Sequence, residues 1–220
     1  MTPPITDMHL LGQLFRCPDG DYAKEVGDFI FASNNAMINC TIDCLALQPN
    51  QKVLEIGFGN GKHLPFLFSR KNSLQYVGIE TSRAMITEAT EYNKNLVSQQ
   101  KAHFLEVAAD ELPNFDYSFD VCFSVNTLYF LEKPSCYYKK IHALLNSQGK
   151  VAIGFIDKSA GEKAPFAQQG FRFYTAEEVV EILEVAGFEH ITKLPFEETL
   201  VSAKGKSIQR KYWVIIGDKN

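Results

Sequence analysis

The fold is decided by the stretch Val53-Leu54-Glu55-Ile56-Gly57-Phe58-Gly59-Asn60-Gly61, a short apolar run that leads into three alternate glycines. The apolar run is typical of a buried parallel strand, and the glycines are typical of a tight turn into a helix. Glycine is favoured where the backbone takes a positive φ or approaches a ligand without an intervening Cβ. The stretch therefore predicts a small-molecule site at the carboxyl end of a first strand.

From about residue 50 onward, strand-like runs alternate with helical patterns. The predicted strands are 52–56, 75–80, 102–107, 119–125 and 150–156, and the predicted helices between them are 61–70, 82–98 and 134–146. This alternation predicts a parallel sheet with helices on both faces. A helix that opens on the capping box at Thr175 then precedes two strands, 190–198 and 210–217, which are close enough to form an antiparallel hairpin at the sheet edge. We therefore expect an α/β fold with a Rossmann-like, doubly wound, seven-stranded sheet, mostly parallel with an antiparallel C-terminal hairpin strand.

The 220 residues are enough for one well-buried core, and we expect a single domain. Residues 1–48 are expected to form an N-terminal helical cover, because residues 22–47 carry apolar spacing that fits one or two helices. Residues 49–160 are expected to form the cofactor-binding core, and residues 161–220 a C-terminal helix and β-hairpin.

Composition excludes several classes of function. A net charge of −4 disfavours nucleic acid as a partner, and the apolar runs are too short to span a membrane. The basic stretch 204–211 is more typical of a solvated hairpin tip than of a nucleic-acid patch. Five cysteines without C-x-x-C spacing favour free thiols in a reducing cytoplasm over disulfides or a zinc site. We therefore expect a cytoplasmic protein without a metal. The sequence does not indicate its oligomeric state.

The glycine spacing separates two kinds of nucleotide site. Dinucleotide-binding folds place a pyrophosphate on a G-x-G-x-x-G turn, whereas Gly57, Gly59 and Gly61 form G-x-G-x-G. Glu80 ends the second predicted strand, where a carboxylate can accept both hydroxyls of a ribose. The turn and this acid together predict a site for a nucleoside.

Glu55 lies within an otherwise apolar strand, where a buried carboxylate is costly unless it has partners. A cationic ammonium or sulfonium ligand, or the N–H groups of the glycine turn, would supply them, whereas a pyrophosphate would be repelled. The residue favours a positively charged nucleoside cofactor. An NAD-dependent oxidoreductase remains an alternative that both Glu55 and the glycine spacing oppose.

Four motifs carry a family resemblance, namely Val53–Gly61, Tyr76–Met85, Leu112–Asp120 with Val121–Asn126, and Lys150–Ile156. With them the chain resembles the class I S-adenosylmethionine-dependent methyltransferases. It is similar in particular to the methyltransferase domain 11-like branch that includes ubiquinone and menaquinone biosynthesis enzymes. The resemblance implies S-adenosylmethionine as the cofactor and the transfer of a methyl group to a small-molecule acceptor by in-line displacement.

The resemblance also implies roles for individual residues. Glu55 and the three glycines match the motif that wraps the methionine end of the cofactor, Glu80 matches the acid that binds the ribose, and Asn126 matches a position near the methionine portion. The residues expected beside the adenine are Thr81, Ser82, Met85, Ala109 and Asp110, with helix packing as the alternative for Met85.

One departure from the family concerns the adenine. Family members often read G-D-A where this chain has Val107-Ala108-Ala109, so the carboxylate that bonds the adenine amino group is missing. Either Asp110 substitutes for it or backbone groups alone hold the adenine. This departure keeps a third reading open, a non-catalytic S-adenosylmethionine-binding protein.

The acceptor side is less defined by the sequence. The candidates are His63, Tyr129, Tyr174 and Tyr22, which belong to loops expected to face the cofactor or to the N-terminal cover. Packing is the alternative for each of them. The sequence therefore assigns neither a catalytic residue nor the identity of the acceptor.

Overall fold

The computed structural model describes residues 7–201, 205 and 207–220. The described strands are β1 (Lys52–Ile56), β2 (Gln75–Glu80), β3 (Ala102–Glu106), β4 (Phe119–Val125), β5 (Leu145–Ile156), β6 (Glu189–Val201) and β7 (Ser207–Asp218). They form one sheet in the order β3-β2-β1-β4-β5-β7-β6. Strands β1 to β5 pair in parallel, and β7 is antiparallel to both of its neighbours. The predicted fold class is confirmed.

Helices cover both faces of this sheet. The described helices are α1 (Met8–Arg16), α2 (Ala23–Cys44), α3 (Leu64–Arg70), α4 (Arg83–Tyr92), α5 (Lys94–Ser98), α6 (Pro134–Leu144), α7 (Lys158–Gly161) and α8 (Ala176–Ala186). On one face, Ile141 of α6 and Leu183 of α8 pack into the core, and on the other face Ile42 of α2 and Leu67 of α3 do so. Strand β1 is buried from Val53 to Ile56 because it lies between these two layers.

The C-terminal hairpin has a specific place in the sheet. Strand β7 lies between β5 and β6, with Ile153 opposite Ile215 and Leu194 opposite Val214. The crossover through α8 therefore leaves a gap one strand wide, which β7 fills, and β6 becomes the edge strand. The antiparallel pairing was expected from the short connection, but the sequence did not indicate which strand would be outermost.

Two helical details differ from the prediction. The single helix expected over 82–98 is divided at Asn93, whose side-chain amide donates hydrogen bonds to the carbonyls of Gly61 and Ala89. The hydrogen bond to Gly61 connects the boundary between α4 and α5 to the glycine turn. Helix α1 lies within the helical cover expected over 1–48, although apolar spacing had indicated helices only over 22–47.

Parts of two predictions lie outside the described residues, namely residues 1–6 of the N-terminal cover and Lys204 and Lys206 of the hairpin tip. Among the residues that the structure describes, no helix combines the length and apolarity needed to cross a membrane.

Candidate functional site

The three glycines of the turn have similar backbones but different surroundings. Their φ angles are +72° at Gly57, +60° at Gly59 and +64° at Gly61. A Cβ on Gly57 would lie 2.4 Å from Thr127 Oγ1, and a Cβ on Gly61 would lie 2.9 Å from Ala89 Cβ of α4. A Cβ on Gly59 would meet nothing within 4 Å. Gly57 and Gly61 therefore allow close packing, whereas Gly59 leaves open space at the turn.

Glu80, at the end of β2, fastens this turn to the neighbouring strand. Its buried carboxylate accepts hydrogen bonds at Oε1 from the N–H groups of Thr81 (2.8 Å) and Ser82 (3.1 Å), and at Oε2 from the N–H of Gly59 (3.0 Å). A carboxylate oxygen has two lone pairs, and Oε2 accepts one hydrogen bond within the described residues. A ligand hydroxyl that approaches Gly59 thus finds an oriented acceptor.

The partners of Glu55 differ from those that the sequence suggested. Its buried Oε2 lies 2.8 Å from His63 Nε2 and accepts a hydrogen bond of 2.6 Å from the Tyr76 hydroxyl. Burial, followed by the charge of Glu55, raises the pKa of Tyr76 and keeps this donor protonated. Because the protein itself satisfies this oxygen, the buried carboxylate is not evidence for a cationic ligand.

Asn126 and Tyr129 join the carboxyl ends of two strands. Asn126 follows β4 with a φ of +57°, and its Oδ1 accepts a hydrogen bond of 2.7 Å from the Tyr129 hydroxyl. That hydroxyl also accepts a hydrogen bond of 2.5 Å from the N–H of Ile156 at the end of β5. Burial raises the pKa of Tyr129. These contacts make Tyr129 a clamp between strand ends rather than a free base.

The other acceptor-side candidates are dispersed. His63 lines the cavity at the glycine turn, where it is bonded to Glu55. Tyr22 lines the same cavity from the N-terminal cover. Tyr174 is buried, burial raises its pKa, and it is not among the described residues that line the cavity.

Of the residues expected near the adenine, Thr81, Met85, Ala109 and Asp110 line the same cavity as the glycine turn. Asp110 has a φ of +62°, and its Oδ1 accepts a hydrogen bond of 3.1 Å from the N–H of Glu132. Met85 packs against Gly27 of α2, where a Cβ would lie 2.6 Å from the methionine sulfur. Ser82 caps α4, because its Oγ accepts a hydrogen bond from the N–H of Met85. Met85 therefore both holds the cover and borders the site.

Helix α2 is fixed over the glycine turn by polar contacts that the sequence did not reveal. Asp28 Oδ1 accepts hydrogen bonds from Lys62 Nζ (2.5 Å) and from Asn60 Nδ2 (3.1 Å). Lys24, one turn earlier, pairs with Glu88 Oε2 of α4 at 2.9 Å. The only indication of this contact in the sequence was that polar residues, Asn60 and Lys62, flank Gly61 in the turn. The cover is thus attached to both the turn and α4.

A single cavity of about 1640 Å³ connects these features. The predicted site residues that line it are Glu55, Gly57, Gly59, Glu80, Thr81, Met85, Ala109, Asp110 and Asn126. Gly61 is not among the described lining residues and packs on α4 instead. Ligand pockets commonly measure roughly 300–1,000 Å³, so this cavity has room for a nucleoside cofactor and a second molecule.

Comparison with known proteins identifies the type of domain. Residues 54–153 match the family model described as "Methyltransferase domain". Phosphoethanolamine N-methyltransferase 1 of Zea mays is 28% identical over 174 residues, which cover 77% of this chain and 34% of that protein. A tRNA U34 carboxymethyltransferase of Vibrio parahaemolyticus is 27% identical over 150 residues, which cover 64% of this chain and 46% of that protein. The chain thus spans between a third and a half of the length of these relatives.

A solved structure shows the same fold. Phosphoethanolamine N-methyltransferase 2 of Haemonchus contortus, in complex with phosphomonomethylethanolamine and S-adenosylhomocysteine, superposes with a TM-score of 0.69 at 17% identity. The alignment covers 98% of this chain and 61% of that one.

Residues 54–153 thus resemble a methyltransferase domain, and the chain shares the fold of a solved methyltransferase in complex with S-adenosylhomocysteine. The ubiquinone and menaquinone branch suggested by the sequence is not confirmed, because these relatives are named for phosphoethanolamine and tRNA.

A matched pair of glycine variants separates cofactor contact from packing. Gly59→Ala and Gly61→Ala both force alanine into a positive φ, at a cost of about 1 kcal/mol. Gly61→Ala also crowds Ala89, which adds roughly 1–3 kcal/mol of destabilisation. In urea titrations Gly61→Ala should be the less stable variant. In calorimetric titrations with S-adenosylmethionine Gly59→Ala should bind more weakly, and the reverse order of affinities would remove Gly59 from the ligand surface.

The attachment of the cover depends on pH through Asp28. Burial acts to raise the pKa of Asp28, but the hydrogen bond and charge of Lys62, and then Lys24, outweigh it and lower the pKa. The stabilisation is therefore complete above the unfolded-state pKa of about 3.9 and is lost as the pH falls through the lower folded-state pKa.

Asp28→Asn should accordingly lower the melting temperature at pH 7, and the difference from the wild type should shrink below about pH 4. Asp43→Asn is the control, because Asp43 lies on α2 like Asp28 but forms an exposed pair with Arg70 of α3. A constant difference at every pH would show that the Asp28 charge does not hold the cover.

Proposed function

We propose that this protein transfers a methyl group from S-adenosylmethionine to a small-molecule acceptor. The observation that carries the proposal is the Glu80 carboxylate, held at the end of β2 by Gly59, Thr81 and Ser82 and open to the cavity. Its position suits the hydroxyls of a ribose. The open space over Gly59 suits the close approach of a ligand to the backbone.

The remaining cofactor contacts follow from the walls of the cavity. Gly57 and Asn126 lie at the carboxyl ends of β1 and β4, where the methionine portion would sit. Thr81, Met85, Ala109 and Asp110 border the space for the adenine, with Asp110 in place of the carboxylate that residues 107–109 lack. Glu55 acts indirectly, because it supports the turn through His63 and Tyr76.

When bound, S-adenosylmethionine would supply an activated methyl carbon for in-line displacement by a lone pair of the acceptor, with the sulfur as the leaving group. The protein contributes alignment of the acceptor and exclusion of water by the cover. Such positioning can contribute up to roughly 7–11 kcal/mol to lowering the barrier. The hydroxyl of Tyr129 and Nε2 of His63 are engaged in hydrogen bonds within the protein, so neither atom is free to take a proton from the acceptor.

A small acceptor fits this chain better than RNA. The net charge of −4 offers little attraction to a polyanion. The glycine turn also lies beneath α2, which Asp28 holds to Asn60 and Lys62, so the acceptor must reach a cavity that this helix partly covers.

Binding experiments test the cofactor role of Glu80. S-adenosylmethionine should bind the wild type, and NAD should not. Glu80→Gln removes the charge and one acceptor, so the Kd for S-adenosylmethionine should rise at least tenfold, about 1.4 kcal/mol. Glu106→Gln is the matched control, because Glu106 of β3 is exposed and lies opposite Glu80 in the sheet.

Equal affinities of the two variants would remove the ribose role of Glu80, and binding of NAD alone would support an oxidoreductase instead. Binding without turnover on a broad acceptor panel would support the non-catalytic reading.

A further inference from the structure

Beyond the glycine turn, one wall of the cavity is aromatic. Six aromatic side chains that line the cavity follow one another as ring neighbours, namely Tyr129, Phe130, Phe171, Phe166, Phe15 and Phe29. We call this series the aromatic wall. Successive ring centroids are between 4.8 and 6.1 Å apart, which is contact distance for aromatic pairs.

The aromatic wall runs from the reaction end of the site to the surface. It begins at Tyr129, whose hydroxyl is bonded to Asn126 at the end of β4. It ends at Phe29 of α2, which is 58% exposed. The wall therefore gives the cavity a continuous apolar surface from Tyr129 to an exposed ring on α2.

Separate parts of the chain assemble this wall. Phe15 belongs to α1, Phe29 to α2, and Phe166 and Phe171 to the irregular segment 162–173. Helix α1 packs tightly on that segment, since a Cβ on Gly12 would lie 2.4 Å from Gln169 Cβ. The acceptor side is thus bounded by α1, α2 and segment 162–173.

Two of the cations that line the cavity form ion pairs within the protein. Arg210 bonds to Glu198 Oε1 at 2.6 Å, to the carbonyl of Ser33 at 2.6 Å and to Asn34 Oδ1 at 3.1 Å. Lys211 pairs with Glu197 at 3.5 Å. A phosphate is usually held by several convergent, charged donors. Arg16 and Lys163 also line the cavity, and Arg16 lies 6.0 Å from the centre of the Phe130 ring, so positive charge is available for an anionic substituent on a ring-containing acceptor.

We propose that the acceptor is an apolar molecule containing a ring system, whose nucleophilic atom meets the methyl group beside Tyr129 while its ring body lies along the aromatic wall. The proposal rests on the proposed methyl transfer and specifies its acceptor class. It separates this chain from an enzyme that acts on a small polar phosphate ester or on RNA, neither of which would gain from an apolar wall of this length.

A partition assay tests the acceptor class. The protein is incubated with S-adenosylmethionine carrying a tritiated methyl group and, separately, with an organic-soluble extract, a water-soluble extract and total RNA from cells in which it is native. Label should move into ethyl acetate after acidification in the organic-soluble reaction. Label retained in a water-soluble product, or precipitated with RNA, would overturn the apolar acceptor while leaving methyl transfer intact. Absence of transfer in all three reactions, with cofactor binding preserved, would overturn the methyl transfer itself.

Variants of the wall test the placement of the acceptor. Phe171→Ala and Phe166→Ala should raise the KM for the extractable acceptor at least fivefold and change the Kd for S-adenosylmethionine less than twofold. Phe171→Tyr keeps the ring and should retain most of the affinity. Phe196→Ala is the control, because Phe196 stacks on Tyr212 outside the cavity. An unchanged acceptor KM in both alanine variants, with melting temperatures near that of the wild type, would contradict the proposal.

Discussion

The hydrogen bond from the Gly59 N–H to the Glu80 carboxylate is the interaction on which the site depends. It joins the turn after β1 to the end of β2, two strands that are adjacent in the sheet. The bond forms only if the turn adopts the positive φ angles that its glycines permit. Since the same carboxylate also holds the N–H groups of Thr81 and Ser82, it fixes the start of α4 as well. The buried carboxylate of Glu80 therefore fixes the position of both the glycine turn and the start of α4.

The opposite side of the cavity is built from elements outside the parallel sheet. Helix α2 reaches the turn through Asp28, while Phe15 of α1 contacts Phe166 of segment 162–173. In the proposed function, polar groups at the strand ends hold the cofactor, and the apolar surface of the cover keeps water from the reacting atoms.

The sequence indicated the sheet and the position of Glu80 because both rest on local patterns, namely apolar runs, a glycine turn and an acid at a strand end. It did not indicate the partners of Glu55, because Tyr76 comes from a neighbouring strand and His63 from the residue before α3. The aromatic wall was missed for the same physical reason. Its rings are far apart in the sequence, and several lie in irregular segments without a periodic pattern.

The decisive measurement is a crystal structure with S-adenosylhomocysteine bound. Both ribose hydroxyls should lie within hydrogen-bond distance, roughly 2.5–3.0 Å, of the Glu80 carboxylate. The ligand sulfur should face Tyr129 and the aromatic wall. A ribose bound away from Glu80, or a sulfur turned away from that wall, would contradict the proposed site.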